Sequence, residues 1–284
     1  MPWSTRLPIE YIEIQFIHAC NLACTGCATF SELKHSGYTS WPQIEAQIKP
    51  WLERLEPECV GVMGGEPFMN PHLEKIIVGL RKLLPNTQIR VPTNGLLLMK
   101  KYRIVKLLEE IGNSILKISY HIDDDVIHQA IKKIMDDFRF KPVTEYGINR
   151  WSTKNNFKFQ INSPETFMKS FVNDYHNMKP HNNTPSDAFD ICVAQRCPFL
   201  FQGKLYKCST AGLTPWILKR FNTPNEKLWE PYVNTGLDVT CSDFELQKFL
   251  DNFGKPHAIC RQCPSKFDQE SLIDHRSSVT KKGR

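Results

Sequence analysis

Tyr11-Ile-Glu-Ile-Gln-Phe-Ile17 leads into Cys20-Asn-Leu-Ala-Cys24-Thr-Gly-Cys27. The first stretch alternates, with Ile12, Ile14 and Phe16 on one face and Glu13 and Gln15 on the other. A period of two predicts a strand with one face against a core. The second stretch sets three thiols at CxxxCxxC spacing on a short loop after that strand. A [4Fe–4S] cube takes one ligand per iron, usually four cysteines. Three ligands leave one iron with an open position, and an open position marks a metal centre that does chemistry.

Outward from this loop the pattern repeats. Ser40 or Thr39 before Trp41-Pro42 opens a helix, and Ile44, Ile48, Trp51, Leu52 and Leu55 follow at helical spacing, interrupted by Pro50. Cys59 to Met63 reads as a buried strand, and Leu73, Ile76, Ile77, Leu80 and Leu84 as the stripe of the next helix. A strand over 88–93, a helix over 102–111, a strand over 114–122 and a helix over 126–138 continue the series. Strands alternating with helices predict a parallel sheet with right-handed crossovers, here curved like a barrel. After Arg139 the pattern degrades to a strand over 157–161 and a helix over 164–178. The polar, turn-rich run from His176 to Asp187 marks a boundary, giving domains over 1–185 and 186–284.

Three chemical loops fall at three successive strand ends. They are the cysteine loop, Gly64-Gly65-Glu66-Pro67, and Thr93-Asn94-Gly95. In parallel α/β barrels the active site lies at the carboxyl ends of the strands, so these loops converge on one mouth. The Gly-Gly pair lets backbone approach a ligand without a Cβ in the way. On the fourth strand Lys117, Ser119 and His121 share one face, which a barrel would turn into its lumen. Asp123, Asp124 and Asp125 suit a solvated helix start.

The Cys20–Cys27 loop with Asn21-Leu22 inside it, followed by Gly-Gly-Glu-Pro, resembles the radical S-adenosylmethionine (radical SAM) superfamily. The resemblance implies a partial parallel (β/α)6 barrel in which the open iron of the cluster holds SAM. It assigns Cys20, Cys24 and Cys27 to that cluster. It assigns Gly64, Gly65, Glu66 and Pro67, Thr93 and Asn94, and Ser119 to the SAM site. The chain departs from the commoner loop pattern at Gly26, where many members carry an aromatic residue, and Phe30 is the candidate to pack on adenine instead.

Cys192, Cys197, Cys208, Cys260 and Cys263 lie in the last third, with Gly203 opening a tight turn before Cys208 and Cys260-Arg-Gln-Cys263 forming a CxxC half-site. Their order resembles the C-terminal SPASM and Twitch auxiliary-cluster domains, small cysteine-rich α+β units. The resemblance implies one auxiliary [4Fe–4S] cluster held by Cys208, Cys260, Cys263 and one of Cys192 and Cys197. A structural zinc site is the alternative, since zinc also accepts four thiolates. Cys59 and Cys241 read as ordinary thiols.

Ten cysteines among 284 residues, with no export signal and no long apolar run, point to metal or redox chemistry in the cytoplasm rather than to disulfides or a membrane span. The net charge of +6 includes a basic tail (Arg276, Lys281, Lys282, Arg284) that reads as a frayed end. No nucleic-acid-binding motif accompanies this charge. A basic face suits an acidic reductant such as flavodoxin or ferredoxin. The function expected is SAM cleavage and hydrogen-atom abstraction from a small polar metabolite or natural-product precursor. The first cysteine at residue 20 leaves no room for a leader-binding domain before the barrel, which disfavours the alternative of a peptide-modifying enzyme. A non-catalytic iron–sulfur or zinc protein is the third reading, and the Gly-Gly-Glu-Pro loop argues against it.

Overall fold

A computed structural model describes residues 6–33, 35–143, 150–164, 166–223, 226–266, 272–274 and 280–281. The first half is a series of strand–helix units: β1 (Leu7–Ile17), β2 (Leu22–Ala23), α1 (Trp41–Leu52), β3 (Leu55–Gly64), α2 (Leu73–Leu83), β4 (Gln88–Thr93), α3 (Tyr102–Ile111), β5 (Ser114–Ser119) and α4 (Asp125–Asp137). Four strands follow: β6 (Lys141–Pro142), β7 (Arg150–Ser152), β8 (Phe157–Asn162) and β9 (Thr166–Met168). The last third holds α5 (Pro185–Asp190), β10 (Phe199–Phe201), β11 (Lys204–Tyr206), α6 (Ser209–Phe221), α7 (Glu226–Val233), α8 (Asp243–Asp251), β12 (Leu272–Asp274) and β13 (Thr280–Lys281).

One nine-stranded sheet runs β11-β10-β1-β3-β4-β5-β8-β7-β6. The strands from β10 through β8 pair in parallel, and β11, β7 and β6 pair antiparallel at the two sides. The sheet is open rather than closed. Its outer face is apolar because every second residue is: Ile12, Ile14 and Phe16, Val60 and Val62, Ile89 and Val91, and Leu116 and Ile118 all join one core. Helix residues such as Ile44, Ile48, Ile76, Leu80, Leu108 and Ile134 complete that core. The α1 start has the expected form, a capping box between Ser40 and Gln43 with Pro42 in the first turn. Pro50 lies in its last turn, and the helix ends at Leu52.

Three expectations change. Residues 164–178 do not form a helix. β9 pairs antiparallel with β12 instead, and Asn173 takes a left-handed φ of 68°, which a helix cannot absorb. The main sheet crosses position 185, because β10 lies beside β1 with Glu13 opposite Phe199 and Ile14 opposite Leu200. Lys281 is not part of a frayed end: β13 pairs with β2, with Thr280 opposite Ala23 and Lys281 opposite Leu22, inside the first cysteine loop. Arg276, Lys282 and Arg284 lie outside the described residues.

A second core sits on the inner face of β10. Phe199, Phe201 and Tyr206 pack there with α6 (Leu213, Ile217), Trp229 and Phe30. The Gln202-Gly203 turn that joins β10 to β11 needs positive φ at both residues (50° and 78°), as a tight two-residue hairpin does.

Candidate functional site

The cysteine loop leaves β1 and folds back on itself. Cys24 is buried, and Cys20 and Cys27 are half-buried. The Cys27 amide donates to the Cys24 carbonyl (3.2 Å), and Gly26 between them takes φ 75°. Sulfur atoms here have polar neighbours: the Leu22 amide donates to Cys20 Sγ (3.4 Å), Asn94 Nδ2 reaches the same sulfur (3.9 Å), and Thr29 Oγ1 lies 3.3 Å from Cys27 Sγ. N–H donors toward Cys20 Sγ favour a thiolate and tune a cluster's potential, so this donor set fits a cysteine-ligated iron–sulfur group. Among the described residues, no three His, Cys, Asp or Glu side chains converge on a single-ion site.

The other two loops are locked onto this one. The Gly65 amide donates to Ile17 O (3.0 Å) and the Glu66 amide to Ala19 O (2.9 Å). A Cβ on Gly65 would lie 2.2 Å from Ala19 O and 3.0 Å from Cys20 Cβ, and one on Gly64, at φ 147°, would lie 2.1 Å from Ile17 O. The glycines are therefore required first for close packing of loop on loop. Thr29 Oγ1 donates to Gly64 O (3.1 Å), tying the cysteine loop to the same place.

Glu66 is fully buried and braces the third loop. Its Oε1 accepts from the Phe68 amide (3.0 Å) and Thr93 Oγ1 (2.8 Å), and its Oε2 accepts from the Asn94 amide (2.7 Å). Burial outweighs these donors and pushes the carboxyl up to about 7. Asn94 Nδ2 in turn donates to Asn21 Oδ1 (2.7 Å), closing a ring through all three loops. Pro67 is buried in the short turn of helix that Glu66 caps. Glu66 and Thr93 thus spend their polar atoms on one another. Ser119 stands half-buried at the end of β5, opposite Asn162. Phe30 is buried in the second core against Phe171, with ring centroids 6.4 Å apart.

The second cysteine set separates into two places. Cys192, Cys208, Cys260 and Cys263 line one small cavity with Phe189, Ile259 and Lys207. Burial pushes the Cys208 thiol up to about 12 and the Cys263 and Cys192 thiols upward, and neighbouring sulfurs of the set push these three further. Four thiols gathered in an apolar cavity match a cationic iron–sulfur group, whose charge stabilises thiolates there. Cys197 does not line this cavity. It lies under the main sheet, hydrogen-bonded to the Glu13 carboxyl, and burial pushes its thiol up to about 12. Cys59 is buried near Arg90, and Cys241 Sγ accepts from Arg54 (3.2 Å).

Several residues were not singled out by the sequence. Glu32 accepts from the Gly26 amide (3.1 Å) and Tyr175 Oη (2.5 Å), and burial raises its carboxyl. His18, just before the cysteine loop, packs on Trp216 of α6 (4.8 Å), which also meets His35 (4.2 Å). Arg90 lies over the Tyr11 ring (4.9 Å), beside buried Glu13. Spacing gave no signal for Glu32 or Trp216. The alternation of β1 did place Glu13 opposite the apolar face, while Arg90 was not singled out.

Residues 14–154 match the radical SAM superfamily. This is a radical SAM superfamily domain. The chain is similar to GTP 3',8-cyclase of Clostridium perfringens (strain 13 / Type A), 26% identical over 229 residues, 75% of this chain and 62% of that protein. It is similar to GTP 3',8-cyclase of Aquifex aeolicus (strain VF5), 29% identical over 118 residues, 40% of this chain and 36% of that protein. The chain spans less than two thirds of the length of these relatives. Native anSMEcpe with bound AdoMet and Cp18Cys peptide aligns over 95% of this chain and 94% of its own, at 16% identity and a TM-score of 0.48. No helix among the described residues is long and apolar enough to cross a membrane.

Proposed function

We propose that this radical SAM protein cleaves SAM reductively and abstracts a hydrogen atom from a small polar metabolite, in a net oxidation or rearrangement. The observation that carries this reading is the ring of contacts joining the cysteine loop, the Gly-Gly-Glu-Pro loop and the Thr-Asn-Gly loop at adjacent strand ends. Cys20, Cys24 and Cys27 would hold a [4Fe–4S] cluster with one open iron. When bound, that cluster supplies an electron to the SAM sulfonium, which splits to methionine and a hydrogen-abstracting 5′-deoxyadenosyl radical. Gly64 and Gly65 let the end of β3 pack closely against the cysteine loop. Glu66 fixes Asn94, and Asn94 fixes Asn21 between the first two ligands. Ser119 and Asn162 line the open inner face beyond.

Cys192, Cys208, Cys260 and Cys263 are the four ligands we assign to an auxiliary [4Fe–4S] cluster, with Cys197 left out. Four cysteine ligands fill every iron, which suits electron transfer rather than direct substrate ligation. A cytoplasmic setting, a flavodoxin or ferredoxin reductant and oxidoreductase chemistry go with this reading. Anaerobic purification followed by iron, sulfide and zinc analysis tests the metal. SAM and dithionite should then release 5′-deoxyadenosine. Protein with full clusters that never cleaves SAM would refute the reading.

A further inference from the structure

We propose that the substrate is an anion, held through a carboxylate or phosphate group by Lys117 on the inner face of the sheet, with Arg90 behind it. The proposal rests on the radical SAM reading only in taking this face as the substrate side of the mouth. Register places the residues. Lys117 on β5 lies between Pro92 and Gln160, and Gln160 lies beside Arg150 on β7. One level below, Ile115 lies between Arg90 and Lys158. Lys117 is two residues from the end of β5, about 7 Å below the mouth at roughly 3.3 Å per residue.

Among the described residues, basic side chains outnumber carboxylates on this face. Arg90, Lys117, Arg150 and Lys158 are all half-buried. Glu13 is the one carboxylate that the described residues of β1, β3, β4, β5, β7 and β8 turn to this face below the strand ends. Its carboxyl is pushed up to about 7 by burial, so near neutral pH it supplies less than a full charge. Lys117 makes no hydrogen bond or ion pair with any described residue. Its Nζ is nevertheless half-buried, and burial followed by Arg90 pulls its pKa down. Arg90 Nε is buried with no hydrogen-bond partner.

A partly buried ammonium without a hydrogen-bonding partner is costly, and a bound anion would supply one for Lys117. A neutral polar substrate would leave the ammonium as it is. The inner face of β10 is covered by the second core, while the β5–β8–β7 stretch carries the half-buried cations, which sets where the anion enters. An oxyanion at Lys117 would lie below Ser119 and Asn162, so the rest of the substrate would extend toward the mouth.

The test is calorimetric titration of the protein with reconstituted clusters and saturating SAM. One arm uses inorganic phosphate and the other succinate, to distinguish the two oxyanion sources. One of them should bind saturably. Lys117→Gln should weaken that binding roughly tenfold or more, the loss expected for a charge-assisted hydrogen bond. Lys117→Arg should keep it within about threefold of wild type, because the charge remains. Wild-type protein that binds neither anion, unchanged affinity in Lys117→Gln, or equal loss in both variants would overturn the proposal. SAM cleavage by the wild-type protein is measured separately. Cleavage without anion binding sinks the anion site alone, and anion binding without cleavage sinks the radical reading alone.

Discussion

Gly65→Ala adds one methyl group to the tightest contact between the first two functional loops. The new Cβ would stand 2.2 Å from Ala19 O, where ordinary contact begins near 3.4 Å, so about 1.2 Å of movement is needed. Nothing flexible is available to move, because the obstructing atoms are the Ala19 carbonyl and Cys20 Cβ. Shifting the Ala19 carbonyl also breaks the bond it accepts from the Glu66 amide (2.9 Å). Overpacking of this kind costs about 1–3 kcal/mol, which a domain of this size survives. The position of the first ligand does not survive it: a displacement of about 1 Å at a reacting centre costs roughly 100-fold in rate. The folded variant should therefore lose about 100-fold in 5′-deoxyadenosine release, with a weakened electron paramagnetic resonance signal from the SAM-binding cluster. The auxiliary iron should be unaffected. A Gly65→Ala protein with wild-type iron content and wild-type SAM cleavage would refute the packing argument.

Other outcomes follow from the same geometry. Cys24→Ala should abolish SAM cleavage, whereas Cys260→Ala should keep part of it and lose substrate turnover; equal, complete loss of cleavage in two folded variants contradicts separate roles. Cys192→Ser should lower iron from about eight to about four atoms per chain, the content of one [4Fe–4S] cluster, while Cys197→Ser keeps all of it. Iron analysis decides this, and the reverse pattern would exchange the two assignments. Thr93→Val removes the buried donor to Glu66 and should cost about 1–3 kcal/mol in denaturant unfolding. Glu13 and Glu66 both have folded pKa values of about 7 against a reference of 4.5. Between these values the folded state binds more protons than the unfolded state. The stability these two groups contribute is thus fully present below pH 4.5, falls as pH rises, and is lost above about pH 7, by about 3 kcal/mol per group. Unfolding midpoints measured from pH 5.5 to 8 should fall with pH, less so in Glu13→Gln; a rising profile contradicts both burials.

The strand–helix series was legible because each strand shows the core one apolar face. Ile12, Ile14 and Phe16 are all at or below 2% exposure, as their alternation implied. The three loops were legible because their residue types are chemically specific and follow strand ends. What escaped depended on distant pairing. β9 owes its form to β12, about a hundred residues later, and no local period in 164–178 announces that partner. Cys192 and Cys197 could not be separated by spacing, because the turn at 192–197 sends one thiol to the cavity with Lys207 and the other to Glu13. The internal hydrogen bonds of Glu66 to Thr93 and Asn94 were not legible either. A single sequence cannot distinguish a carboxylate that faces a cofactor from one that holds the loop beside it.

The placement of β10 has a consequence for biosynthesis. Until residues 199–201 leave the ribosome, β1 has one side without its partner strand, although the strands from β3 to β8 can already assemble. An eleven-residue apolar strand with a bare side invites pairing with a stranger. The nascent chain therefore stays at risk of aggregation until the final third arrives. A fragment ending at 185 should be recovered as multimers or inclusion bodies, and its recovery as a stable monomer would show that something else shields that side.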